Sequence, residues 1–174
     1  MEDYKDILSD SGRITAEIAG SLIRESKTLF SEMIELSFTK PYPYNMRASR
    51  VIQIYCETET DAIFPFLEDI IPQIIQTKTS GVRRNYLKII FDTVPLEKLP
   101  HQALLLNYCF DWLASNKEPI ALRYYSLNIL LLFAEKEPLL INEIELIMES
   151  LELDSLKGLK SRWKHVKMKK YSPK

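Results

Sequence analysis

The sequence predicts an all-α fold, a stack of about four antiparallel helix pairs, and three observations carry that expectation. A motif returns along the chain: Met46-Arg47-Ala48-Ser49-Arg50-Val51, Val82-Arg83-Arg84-Asn85-Tyr86-Leu87, Leu122-Arg123-Tyr124-Tyr125-Ser126-Leu127 and, more faintly, Leu159-Lys160-Ser161-Arg162-Trp163-Lys164. Its basic positions 47, 83, 123 and 160 are spaced by 36, 40 and 37 residues, within the band of helical-pair repeats. Apolar residues recur at helical spacing almost throughout, and no stretch alternates with period two for more than a few residues. Nine prolines fall mostly between those segments and only four glycines occur, so connections are short and neighbouring helices run antiparallel.

Arg13 to Glu25 sets Ile14, Ile18, Leu22 and Ile23 at helical spacing. After a joint at Ser26 the pattern continues through Leu29, Phe30, Met33, Ile34 and Leu36. These two helices form a first pair over residues 1–40, expected as an N-terminal cap. Pro41-Tyr42-Pro43-Tyr44 breaks the chain, because proline has no amide hydrogen and restricts the residue before it. A helix then runs from about Asn45 to Glu57 with Val51, Ile54 and Tyr55 on one face. Thr60 or Asp61 caps the next, whose wide apolar face is Ile63, Phe66, Leu67, Ile70, Ile71, Ile74 and Ile75. Pro65 suits its first turn, whereas Pro72 lies in its middle and predicts a bend near Asp69.

Ser80-Gly81 opens a helix from Val82 to about Val94, the stretch from Pro95 to Pro100 ends it, and the next covers His101 to Ala114. That one is apolar nearly all round, from Leu104, Leu105 and Leu106 to Trp112 and Leu113, which predicts burial between neighbours. Glu118-Pro119 starts a helix reaching about Glu135, proline being suited to a first turn. Pro138 restarts the chain into Leu139 to Leu151, and a last helix runs from Leu153 or Ser155 to near Lys169, fraying at Ser172-Pro173. The sequence reads as one domain over 1–174, with repeats at 44–78, 80–115 and 118–151 and a basic C-terminal helix at 153–170.

With 174 residues, 46% of them hydrophobic, the chain is long enough for one continuous core. Its longest uninterrupted apolar run, Ile129 to Ala134, is far too short to span a membrane, and its first residues are acidic where a secretory leader would be basic. The expected location is cytoplasmic, with no membrane partner. Cys56 and Cys109 lack a CxxC spacing and lie in apolar helical patterns, which reads as reduced core residues. His101 at a helix start reads as a cap or surface residue, and His165 has no acidic or cysteine neighbour to complete a metal site. No cofactor and no metal are therefore expected. The net charge of −1 hides an asymmetry: eight basic residues and no acid lie from Lys157 onward, against 15 basic and 24 acidic residues before it.

Helical pairs of this period, with an apolar-basic dipeptide opening the second helix of each, resemble HEAT and armadillo repeats. The run Val82-Arg83-Arg84-Asn85-Tyr86-Leu87-Lys88-Ile89-Ile90 and the phrase Pro65-Phe66-Leu67-Glu68-Asp69-Ile70-Ile71-Pro72 are in the same style, and the resemblance covers about residues 44–170. It implies a right-handed α-α superhelix whose second helices line a concave surface. It also implies a non-catalytic scaffold whose partner is another protein, of unknown identity, or a second copy of the chain. In such repeats an aspartate usually stands about six positions before the basic residue, and the two build a ladder of hydrogen bonds. Here Asp154 fits before Lys160, Glu118 is one position off before Arg123, and Pro41 and Thr77 occupy the other two places.

Arg47, Arg83, Arg123 and Lys160 would then form a row of positive charge, able to hold phosphates or acidic peptides, or else bond neighbouring carboxylates and helix ends. Arg84, Arg162 and Trp163 complete the candidate binding set, Trp163 either stacking on a base or packing on the preceding pair. Leu22, Ile23, Leu29, Phe30 and Met33 make the first pair rich enough to serve as a cap or a dimer surface. The rival reading is a nucleic-acid binder related to the HEAT-like enzymes that excise alkylated bases from DNA, with Phe110-Asp111-Trp112 and Trp163 near the chemistry. The paired-tryptophan and double-aspartate signature of those enzymes is absent, so nucleic acid is the lesser expectation and the chain is expected not to be an enzyme.

Overall fold

The computed structural model of the chain describes residues 4–151 and 156–171. Among them are ten α-helices and no strand. In chain order they are α1 (Tyr4–Ile7), α2 (Arg13–Glu25), α3 (Lys27–Thr39), α4 (Tyr44–Tyr55), α5 (Leu67–Gln76), α6 (Ser80–Thr93), α7 (Gln102–Ala114), α8 (Ile120–Lys136), α9 (Leu140–Ser150) and α10 (Lys157–Tyr171). The backbone divides into two compact units, Met1–His101 and Gln102–Lys174, where the sequence was read as one domain. Three expectations lie outside the described residues: the start of the last helix at Leu153 or Ser155, Asp154 as a partner for Lys160, and the end at Ser172-Pro173.

The first unit is organised by α4, which packs against α2, α3 and α6. Contact on three sides explains why its buried set, Ala48, Ser49, Val51, Ile52, Gln53 and Ile54 among others, spreads beyond the single face the periodicity indicated. Tyr86 of α6 is fully buried and hydrogen-bonded to Ser37 of α3, the two hydroxyl oxygens 2.7 Å apart. Since Ser37 Oγ donates to the carbonyl of Ile34, the tyrosine is the donor of that pair. Ile63, Leu67, Ile70, Ile71 and Ile74 are buried as predicted. The irregularity expected near Asp69 falls earlier: a 3-10 turn over Thr60–Phe66, with Pro65 inside it, gives way to α5 at Leu67, and Pro72 is accommodated within α5. So close to the helix start, Pro72 forfeits only the bond to the carbonyl of Glu68, an exposed first-turn residue.

The second unit is organised by α8, which packs against α7, α9 and α10. The sequence assigned all-round burial to α7. Instead α7 is buried along Leu105, Cys109, Trp112 and Leu113, while Leu104 is 40% exposed, and α8 is the enclosed helix, with Leu122, Leu127, Ile129, Leu130 and Phe133 all buried. The most extensive pairings are α3 with α4 and α7 with α8, so a pair begins at α3 and not at α4. Pro41 to Tyr44 reads as a repeat boundary but is the turn inside a pair. Cys56 and Cys109 are free and buried, and burial pushes the Cys56 thiol up to about 12, which suppresses thiolate chemistry.

Candidate interaction surface

Helix α2 turns its small residues inward. Ala16, Ala19, Gly20 and Ile23 are its buried positions, and small side chains let a helix approach α3 and α4 closely. The larger side chains that the sequence set at helical spacing beside Ile23, namely Ile14, Ile18 and Leu22, point outward and are 74%, 62% and 37% exposed. Three aliphatic side chains four residues apart on one helix form a continuous apolar ridge. The dimer surface expected from Leu22, Ile23, Leu29, Phe30 and Met33 is corrected accordingly: Ile23, Phe30 and Met33 are interior, at 1%, 5% and 2% exposure.

Charged contacts fasten α2 to the end of α4 and hold the ridge in place. Arg13 reaches Glu17 at 2.8 Å and Glu57 at 2.9 Å, and Arg24 donates to Thr58 Oγ1 at 2.7 Å with Glu59 at 3.7 Å. Glu57 is the hub. Its Oε1 accepts from Gln53 Nε2 at 2.6 Å and lies 3.7 Å from Lys88 Nζ of α6. Burial alone would raise the Glu57 pKa, but the hydrogen bonds from Arg13 and Gln53 and the charges of Arg13 and Lys88 hold it below the ordinary carboxylate value. Beside the ridge an open pocket of about 290 Å³ is lined by Arg13, Glu17, Gly20, Arg24, Tyr55 and Glu57 among others.

The sequence-derived basic positions take several different places. Arg47 is half-buried and its Nη1 donates to the carbonyls of Leu8 and Ser9 at 2.8 and 2.6 Å, tying down the segment after α1. Arg83 is half-buried, and Arg84 donates to Asn85 Oδ1 from Nε at 3.2 Å and Nη2 at 2.7 Å. Arg123 is 4% exposed and donates from Nε to the Leu113 carbonyl at 3.0 Å, closing the C-terminal end of α7. Lys160 is exposed, whereas Arg162 bonds Asn128 Oδ1 at 2.6 Å. Trp163, offered by the sequence as a stacking platform, is 5% exposed and closed to a base. Asp111 is exposed beside buried Trp112.

Sequence reasoning missed the buried amides. Asn45 donates to Thr79 Oγ1 at 2.8 Å, Asn85 donates to Ser49 Oγ at 2.8 Å, and Asn128 accepts from Arg162. These bonds link α4 to α6 and α8 to α10, where the aspartate ladder was expected. The signal was present in the recurring motif, since Ser49 and Asn85 are 36 residues apart, one repeat length. His101, at a φ of 51°, pairs its Nε2 with Glu68 Oε1 at 3.1 Å. Among the described residues, no group of three or more His, Cys, Asp or Glu is arranged to hold a metal ion, and no helix is long and apolar enough to cross a membrane.

No curated protein and no solved structure matches the chain. A family model does: the HEAT repeat domain matches residues 9–170, most of the chain, so the chain belongs to the HEAT repeat family.

Proposed function

We propose that the chain is a non-catalytic scaffold that holds a partner protein against the outer face of α2. The observation that supports this reading is the ridge of Ile14, Ile18 and Leu22, left in solvent on a helix whose orientation is fixed by ion pairs at both ends. Family membership agrees with it, because HEAT repeats are commonly protein-interaction scaffolds. The occupant is a different protein presenting an apolar helical stripe rather than a second copy. Three side chains on each side, even doubled by two-fold symmetry, fall well short of the roughly 1,200 Å² of total buried surface that a stable interface needs. A larger partner reaches that area by adding contacts along the neighbouring pocket.

The test is affinity capture from the native organism with the wild-type chain and with an Ile14→Glu/Ile18→Glu double variant. Both positions are exposed, so the variant is expected to keep its stability within about 0.5 kcal/mol of wild type per site while losing the captured protein. Recovery of the same proteins by both baits would overturn the reading. So would light scattering that shows a wild-type dimer dissolved by the double substitution, since that assigns the ridge to a second copy.

A further inference from the structure

In the second unit, Tyr124 of α8 and Gly158, Ser161, Arg162 and His165 of α10 line an open pocket of about 320 Å³. The four positions on α10 recur at i, i+3, i+4 and i+7, so one face of that helix presents them, and α8 packs against α10 and brings Tyr124 alongside. Gly158 keeps the pocket unobstructed, since a Cβ there would meet nothing within 4 Å. Each of the other four residues carries a hydrogen-bond donor, and no carboxylate is among the described residues of the lining. These donors are also unused. Among the described residues, the side chains of Tyr124, Ser161 and His165 make no hydrogen bond or ion pair. Arg162 spends only Nε, on Asn128 Oδ1 at 2.6 Å, and neither of its terminal nitrogens is enclosed or has an acceptor. Asn128 is 1% exposed, so the bond anchors the guanidinium from the core side and leaves its terminal nitrogens to solvent.

We propose that this pocket binds one phosphate monoester group, held by Arg162 and His165 and oriented by the hydroxyls of Ser161 and Tyr124. The number of donors favours phosphate over carboxylate: a monoester offers three acceptor oxygens and a charge of about −1.5 to −2, whereas a carboxylate offers two oxygens and a single charge. Arginine suits the group because its planar donors meet two oxygens at once, and the bond to Asn128 means that less freedom is lost when they do. A phosphorylated side chain and free phosphate present the same chemistry, and the experiment separates them. This site stands independently of the α2 face, and the two can fail separately.

The chain has two histidines, so the imidazole proton signals of the full-length protein report on the pocket through His165 and on the first unit through His101, beside Glu68. His165→Gln assigns them by removing one. At fixed pH the protein is titrated with inorganic phosphate and, in a separate arm, with N-acetyl-phosphoserine amide; acetate and chloride at equal ionic strength are the controls. Two charge-assisted bonds support a Kd on the order of 1 mM, so the His165 signal is expected to move and approach a plateau by about 10 mM while that of His101 stays in place. The arm that saturates at the lower concentration identifies the source of the phosphate. Arg162→Gln is expected to weaken binding at least about tenfold. Should that variant fail to fold, Ser161→Asp alters an exposed position, places a carboxylate in the lining and is expected to abolish the shift. Lys157→Gln/Lys164→Gln removes two exposed cations outside the lining and is expected to change the Kd less than about threefold. A loss there as large as in Arg162→Gln overturns the proposal, because the lysine strip and not the pocket would then attract the anion. It is also overturned by a His165 signal that neither phosphate moves, by an equal response to acetate or chloride, or by a response to duplex DNA alone.

Discussion

Gly20 sits in the interior of α2 although neither its backbone nor its surroundings requires a glycine. No glycine described has a positive φ, and a Cβ built at position 20 would meet Tyr55 Cδ2 at 3.9 Å, an ordinary contact distance. Glycine inside a helix costs about 0.5–1 kcal/mol relative to alanine, through the freedom it loses on folding. Gly20→Ala is therefore expected to raise stability by about that amount, read as a higher urea midpoint at unchanged slope. A loss of stability would mean that α2 and α4 pack more tightly than this distance indicates. Gly81 makes the contrast, since a Cβ there would lie 2.7 Å from Met46 Cγ and force that side chain to move. Neither outcome can be read from the sequence, where both are isolated glycines near helical patterns. The partner of Asn45 was illegible for the same reason, since Thr79 lies 34 residues away and only folding brings the two together; Asn85 and Ser49, by contrast, stand at equivalent places of the repeated motif, 36 residues apart.

At the scale of elements, one carboxylate joins three helices. Glu57, just past α4, is held by Arg13 of α2, by Gln53 of α4 and by Lys88 of α6, with Arg50 also donating to Gln53. Its folded pKa lies below the ordinary value of 4.5, so its contribution is present above that value and is lost as the pH falls through the folded pKa. Glu57→Gln is expected to cost on the order of 1 kcal/mol at neutral pH and to flatten the loss of stability below about pH 4.5. Urea midpoints at pH 7 and pH 3.5 check this; an equal acid loss in both proteins would remove Glu57 from the account. The helices themselves were largely legible, because prolines and helical periodicity act locally. Their roles were not. In α2 the hydrophobic pattern marks Ile14, Ile18, Leu22 and Ile23 without saying which of them faces inward, and close approach settles it in favour of Ala16, Ala19, Gly20 and Ile23. It also could not choose between α7 and α8 as the enclosed helix, since both are apolar on several sides and the number of neighbours decides.

Over the whole molecule, 23 basic and 24 acidic residues nearly cancel, yet the excess of positive charge is confined to the end of the chain. There α10 exposes Lys157, Lys160 and Lys164, while Lys167 is taken up by Glu145 at 2.8 Å and Arg162 by Asn128 at 2.6 Å. Trp163 is buried, so the aromatic component that would stack on bases is withdrawn from the basic face that the sequence composed around it. What is left is a short positive strip on a chain whose remaining charge is acidic, and that charge repels a phosphate backbone. Duplex DNA is accordingly expected to bind with a Kd weaker than about 100 μM at low salt. About three lysine–phosphate contacts would give a slope of log K against log salt no steeper than about −3. A titration at two ionic strengths measures both quantities. Micromolar affinity with a steeper slope would require cations beyond α10 and would restore the nucleic-acid reading over the protein scaffold.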